Sequence, residues 1–207
     1  MRRKSSYHHE NLKEHLLNAA VRLIAEVGTE AFTLREVARR AGVSHNAPYR
    51  HFEDKHDLLS AVAAQGFERL TASMRRAMAQ ARNAEDRLRL CGRGYVQFGL
   101  RWPQHLRVMF DLSEAEKISP ECKRAGDRAF QTLLDCVVGL QAEGGLPPGN
   151  PRTFAIIAWS SVHGFAKLAI AGRLPFPQSQ ALDFLNLMAV VLKEGMLRLP
   201  GGSRAPR

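Results

Sequence analysis

"FTLREVARRAGVSHNAPYRHFEDK", residues 32–55, holds two helix signals and a proline in quick succession. Thr33 and Glu36 have the spacing of a capping box: the threonine hydroxyl accepts the Glu36 N–H while the Glu36 carboxylate reaches back. Phe32 and Val37 are placed to clasp across that start as a hydrophobic staple. Leu34, Val37, Ala38 and Ala41 form an apolar stripe, and Gly42 is a natural stop. Ser44 is a good cap for a further helix over about 45–52. Two helices joined by so short a Gly-containing turn make a helix-turn-helix. The second is polar where a core helix would be apolar, with His45, Asn46, Arg50 and His51. Pro48 is compatible with that element only within its first turn, where N–H groups lack helical partners. A tight or irregular first turn is therefore expected.

Outward from this stretch the chain reads as helix almost throughout. Leu12, Leu16, Ala19, Ala20, Leu23, Ile24 and Val27 recur at i+3 and i+4 spacing, which predicts a helix over about 9–27, closed by Gly28. Asp54 can cap a long helix from 55 to about 80, with Asp57 in its first turn. Further helices are predicted at 84–101, 103–111, 120–142, 151–172 and 178–198, with Pro103 and Pro120 in first turns. "EGGLPPGNP", residues 143–151, is the strongest breaker, and 112–119 reads as a loop. No run alternates with period two between turn signals, so the fold class is all-α, about nine helices in all. The domains expected are a three-helix helix-turn-helix DNA-binding domain at 1–56, a larger helical domain at 57–200, and a disordered tail at 201–207.

The 207 residues carry a formal net charge of +10, which favours a polyanionic partner. The charge is spread: residues 1–56 hold 10 Lys/Arg and 7 Asp/Glu. Three cysteines, Cys91, Cys122 and Cys136, with no C-x-x-C pair, argue against a disulfide framework or structural zinc and for a reduced, cytosolic compartment. Set in apolar helical patterns, these thiols read as inert. His8, His9, His15 and His56 make no i, i+4 pair with a third ligand, so no metal is expected. The basic N-terminus lacks the apolar run of a signal peptide. Residues 154–172 have the length of a membrane span, but His163 and Lys167 inside it favour a buried helix. Enzyme signatures are missing: there is no metal triad, no G-x-S-x-G and no phosphate loop. The G-x-G in "CGRGYVQFG" follows a helical pattern, so a dinucleotide reading fails. No cofactor is expected.

The pattern T-x-x-x-[VI]-A-x-x-A-G-V-S-x-x-x-x-Y-x-[HY]-F-x-x-K in "FTLREVARRAGVSHNAPYRHFEDKHDLLSAV" resembles the DNA-binding region of the TetR family of bacterial transcriptional regulators. The resemblance spans about residues 10–60. It implies that Thr33, Tyr49, His51 and Lys55 touch phosphate or brace the reading helix, and that Ser44, His45, Asn46 and Ala47 lie at or near base edges. Arg35, on the helix before the turn, joins the expected DNA-binding set. Elementary chemistry agrees. A tyrosine hydroxyl and a lysine at a helix N-terminus suit phosphate; Asn46 can read adenine, and Arg50 a guanine or the backbone. His51 can equally be a buried, hydrogen-bonded histidine, and Phe52 is expected in the core.

More weakly, residues 93–110 and 158–174 resemble the WHG-type ligand-binding domain of one TetR branch. This implies an effector-binding and dimerisation body. Tyr95, Phe98, Trp102, Met109 and Phe110, interleaved with Gly94 and Gly99, are candidate ligand contacts, as are Trp159 and His163; core packing is the competing reading for each. In the last helix Leu182, Leu185, Ala189, Leu192 and Met196 form one stripe, and Phe184, Leu187 and Val191 another. Two partners are implied, the chain's own body and a second copy, so a homodimer through about 151–172 and 178–198 is expected. The function expected is that of a ligand-responsive repressor, binding a pseudo-palindromic double-stranded DNA operator as a dimer and released by a small apolar or aromatic effector. The alternative is a constitutive DNA-binding protein without an effector.

Overall fold

The computed structural model describes residues 4–112 and 118–198, with side chains from residue 12 onward. The tail at 201–207, the side chains of His8 and His9, and part of the loop at 112–119 lie outside the described residues. Eight α-helices account for most of the rest: α1 Lys4–Val27, α2 Leu34–Ala41, α3 Lys55–Met78, α4 Ala84–Arg101, α5 Pro103–Asp111, α6 Pro120–Ala142, α7 Pro151–Ile170 and α8 Ala181–Leu197. Among the described residues there is no strand. The ninth helix expected, at 45–52, is instead a single 3₁₀ turn, Pro48–Arg50. A second 3₁₀ turn, Gln178–Gln180, leads into α8.

The chain divides into two compact units. One holds residues 1–67 and 104–125, the other 68–103 and 126–207; the division falls inside α3 and α6.

In the first unit α1 packs on α2, and the apolar stripes named above form the core. Leu16, Ile24, Phe32, Val37, Phe52, Leu58 and Val62 are almost fully buried. His15 Nε2 donates to the Ala41 carbonyl at 3.0 Å, fastening α1 to the end of α2. Arg40 adds an ion pair with Glu26 of α1. Ser119 accepts the Cys122 N–H and so caps α6; its own N–H donates to the Ser60 hydroxyl of α3. The side chains of α5 face α3 here: His105 bonds Gln65 at 3.0 Å, and Phe110 meets Phe67 edge-on. A methyl group added at Gly66 would lie 2.5 Å from the Met109 sulfur, so that glycine is what lets α5 come close.

In the second unit α4 packs along α7 and α8, and α7 meets α8. Asn83 caps α4 by accepting the Asp86 N–H at 2.8 Å. Asp86 in turn takes Arg82 and Arg89, at 2.7 and 3.0 Å. Those two hydrogen-bonded guanidiniums hold the Asp86 carboxyl at a pKa of about 2. Gly94 permits a close approach to backbone: a methyl group there would sit 2.6 Å from the Met74 Cα, and Ser73 donates to the Gly94 carbonyl at 2.9 Å. Gly94, interleaved with the candidate ligand contacts in sequence, thus closes helix α4 onto α3. Helix α7 is long and apolar enough to cross a membrane by length and composition. Within this unit it buries Phe154, Ala155, Phe165, Ala166 and Ala169 and bonds its His163 to Tyr95.

Candidate functional site

Two features carry the site residues: a polar surface at 33–55 in the first unit and an apolar cavity in the second.

The surface is built from helix ends. Thr33 has extended backbone and accepts the Glu36 N–H at 3.3 Å, while its own N–H donates to the Glu36 carboxylate at 2.8 Å. This completes the capping box and aims α2. Gly42, at φ +68, ends α2 in the left-handed conformation, with its N–H turned back to Ala38 and Arg39. Residues 44–50 then form one tight, continuous turn. The Ser44 carbonyl accepts the Ala47 N–H at 2.9 Å, and the Ser44 hydroxyl accepts the Asn46 N–H at 3.3 Å. The Pro48 carbonyl accepts from both His51 and Phe52 at 2.9 Å. Pro48 stands at the first position of the 3₁₀ turn, where it forfeits no hydrogen bond.

Pro48 and Phe52 point inward and are buried, which pins the turn at both ends. The polar side chains of 44–50 point outward. Ser44, His45, Asn46, Tyr49 and Arg50 are exposed, and Ala47 and His51 are half-buried. Tyr49, 51% exposed, is among the largest apolar surfaces left uncovered on this unit. The His51 ring tilts against Phe52 at 6.3 Å. Thr33 and Arg35 are also exposed, at the start of α2. Lys55, half-buried, opens α3, with Asp54 accepting the Asp57 N–H at 2.8 Å as the cap. The Lys55 ammonium donates to the Glu30 carbonyl at 2.7 Å and stands 5.0 Å above the Phe32 ring. That double tether is absent from any local sequence signal.

The cavity lies among α3, α4, α6, α7 and α8 of the second unit. Leu88, Leu133, Val162, Leu185, Met188 and Leu192 supply much of its wall, and Tyr95 completes one side. Its interior of about 100 Å³ is on the scale of a void that admits one aromatic ring. The polar rim is Glu85, Arg89 and Lys193. Lys193 pairs with Glu85 at 2.7 Å, and Arg89 donates to Asn186 at 3.1 Å. The Tyr95 hydroxyl shares a 2.8 Å hydrogen bond with His163 Nδ1. Burial raises the tyrosine pKa further above its usual value, against a hydrogen bond from Trp159 that lowers it.

Of the seven candidate ligand contacts, only Tyr95 lines this cavity; Trp159 and His163 stand directly behind it. Phe98 is fully buried and packs on Trp102, which two arginines, Arg69 and Arg101, cover. Met109 and Phe110 belong to the other unit, packed on Gly66 and Phe67. The wall residues missed lie on α3, α4, α6 and α7, where no aromatic marked them, and on α8, whose apolar stripes read from sequence as core or dimer surface. Leu185 and Met196 are buried; Phe184, Leu187, Val190 and Val191 remain 41–63% exposed. Among the described residues no group of three His, Cys, Asp or Glu side chains could hold a metal ion.

Comparison with known proteins matches two separate stretches of the chain. Residues 16–62 match the family described as bacterial regulatory proteins, tetR family, and residues 88–192 match the tetracyclin repressor-like C-terminal domain. The regulator AcrR of Shigella flexneri is 39% identical over 62 residues, 30% of this chain and 29% of that protein. The transcriptional activator FasR of Mycolicibacterium smegmatis is 27% identical over 143 residues, 68% of this chain and 64% of that protein. The matches thus span less than two thirds of these relatives' own lengths. A solved structure from Rhodococcus sp. RHA1, a protein of unknown function, is 32% identical with a TM-score of 0.80, covering 94% of this chain and 100% of that one. With matches to the family's N-terminal and C-terminal models and helices without strands among the described residues, the chain belongs to the TetR family of transcriptional regulators, which bind DNA.

Proposed function

We propose that this chain is a ligand-responsive repressor that binds a pseudo-palindromic operator as a homodimer and leaves it when a small apolar or aromatic effector occupies the second unit. The observation that carries the reading is the turn at 44–50, whose only buried side chain is Pro48, leaving the polar residues facing water. A core element of this size would hide those side chains; a nucleic-acid surface needs them outside. On this reading residues 1–56 act as the DNA-binding domain and 57–200 as the effector and dimer domain. Ser44, His45, Asn46 and Ala47 meet base edges. Thr33, Arg35, Tyr49, Arg50, His51 and Lys55 hold phosphate or brace the turn. Lys55 exchanges its Glu30 carbonyl for a phosphate oxygen on binding.

The exposed apolar stripe of α8 supports a second copy as partner. Paired turns then meet successive major grooves about 34–36 Å or a multiple apart. The apolar cavity supports the effector. Met74, on its wall, and Lys55, at the DNA surface, belong to one continuous helix, α3, which gives the effector a covalent route to the turn. Effector control requires that the ligand bind one disposition of the turns better than the other.

Selection of bound duplexes from a random pool, repeated with Asn46→Ala and then with a set of apolar small molecules, tests this. The expected result is a two-fold symmetric site, a preference relaxed at one position per half-site in the variant, and release by some members of the set. An asymmetric single half-site, or no sequence preference, refutes the dimeric operator. Binding that no apolar ligand weakens favours the constitutive alternative.

A further inference from the structure

Four sulfur atoms from three helices meet as two thiol–thioether pairs in the second unit, a chemistry that neither the family assignment nor an apolar effector calls for. Met74 and Met78 are one turn apart on the same face of α3. The Cys91 thiol of α4 donates to the Met74 sulfur at 3.6 Å, and the Cys136 thiol of α6 lies 3.3 Å from the Met78 sulfur. All four side chains are buried. We propose that Cys91, Cys136, Met74 and Met78 form a site for a soft monovalent metal ion, with Cu(I) the biological candidate.

Three properties separate this cluster from ordinary thioether packing. The first is donor type: two thiols with two thioethers is a set that selects Cu(I) over harder divalent ions. The second is reach. With metal–sulfur bonds of about 2.3 Å, sulfurs sharing one ion stand ~3.7–4.6 Å apart, so the observed 3.3 and 3.6 Å contacts need open only by a few tenths of an ångström or more. Flexible methionines supply that slack. The third is access, because Met74 and Cys91 lie on the cavity wall.

On loading, both S–H bonds break, two protons leave to solvent and two sulfur–metal bonds form; the ion keeps its +1 charge and nothing is oxidised or reduced. The thioethers donate lone pairs without losing a proton. The product carries one net negative charge. Among these features, the sequence showed only three scattered cysteines; the pairing needs the packing of α3, α4 and α6.

Met74 and Cys91 also line the proposed effector cavity, but the test uses neither DNA nor an organic ligand, so its outcome is separate from the operator and effector reading. The reduced full-length chain is titrated anaerobically with Cu(I) as its acetonitrile complex against a chromogenic Cu(I) chelator, following near-ultraviolet sulfur-to-copper absorption. A single Cu(I) per chain is expected, unchanged in Cys122→Ser, whose thiol sits in the other unit. Cys91→Ala and Cys136→Ala should each weaken binding by at least about tenfold. The Met74→Leu/Met78→Leu pair, close to isosteric and able to keep the fold, should also weaken it. Failure of the wild type to hold Cu(I) against the chelator overturns the proposal, as does loss of binding in Cys122→Ser. Wild-type affinity in either folded alanine variant does the same. If the alanine variants do not fold, the leucine pair decides alone: full affinity there reduces the cluster to core packing.

Discussion

The surface at 33–55 and the cavity of the second unit are both made by helices, but by different parts of them. The surface is made of ends: a capping box, a left-handed glycine, a proline at a first turn and the start of α3. The cavity is made of sides, contributed by helices whose residues stand as much as 122 positions apart, from Met74 to Met196. Ends are set by hydrogen bonds among near neighbours, so each device can be tested singly. Sides are set by packing, where one atom added or removed is felt by every helix in contact. The lesson is that one chain keeps its proposed reading element local and its proposed sensing space collective.

The sharpest way to break this contrast is Phe52→Ala beside Tyr49→Ala. Phe52, 2% exposed, closes the first unit, while Tyr49, three residues away, is 51% exposed. Loss of the phenylalanine should cost about 3–5 kcal/mol by chemical denaturation, whereas Tyr49→Ala should stay within about 0.5 kcal/mol and weaken only DNA binding. Equal losses would mean the turn is as collective as the cavity. Next, the same substitution can be made twice in the second unit. Gly94→Ala pushes a methyl onto the α3 backbone and should destabilise by about 1–3 kcal/mol. At Gly139 the added methyl meets only the Ala84 methyl, at 4.0 Å, so Gly139→Ala should stabilise by roughly 0.5–1 kcal/mol. Opposite signs in calorimetric midpoints would sharpen the packing account; matching signs would sink it.

Thr33→Ala tests the local side, with an expected loss of about 1 kcal/mol and restoration of most of it by Thr33→Ser. The smallest effect is electrostatic. The Asp86 pKa is depressed in the folded chain, so its contribution is present above the ordinary carboxylate range and is lost as pH falls from about 4 towards about 2. Asp86→Asn should flatten that part of the stability profile and leave the slope above pH 5 unchanged. A persistent acid slope would assign it to other carboxylates.

The same division explains what could be read from the chain beforehand. Helix ends at Ala84, Arg101, Pro103, Asp111, Pro120 and Ala142 fall where the signals put them, because prolines and breakers act on their own neighbourhood. The turn at 45–52 was legible as polar and proline-bearing, yet its collapse to three 3₁₀ residues depends on Pro48 and Phe52 both reaching the core. The aromatic run from Tyr95 to Phe110 misled for a collective reason. Trp102 and Pro103 break the helix, and the residues after them fall into the other unit, so a stripe continuous in sequence is split in space. Lys55 pairs with Glu30 across 25 residues and Glu85 with Lys193 across 108; no local pattern encodes either.

The brevity of the Pro48–Arg50 turn sets an informational ceiling. At about 2 Å of rise per residue, its three residues advance only ~6 Å, which leaves residues 44–47 just before it as the whole of the proposed base-reading edge. On that proposal, with about 1–3 kcal/mol of discrimination per base pair, so short a probe can single out one locus among millions only by being counted more than once. Whatever partner multiplies it, and not the turn itself, then decides how many addresses in a genome this regulator can tell apart.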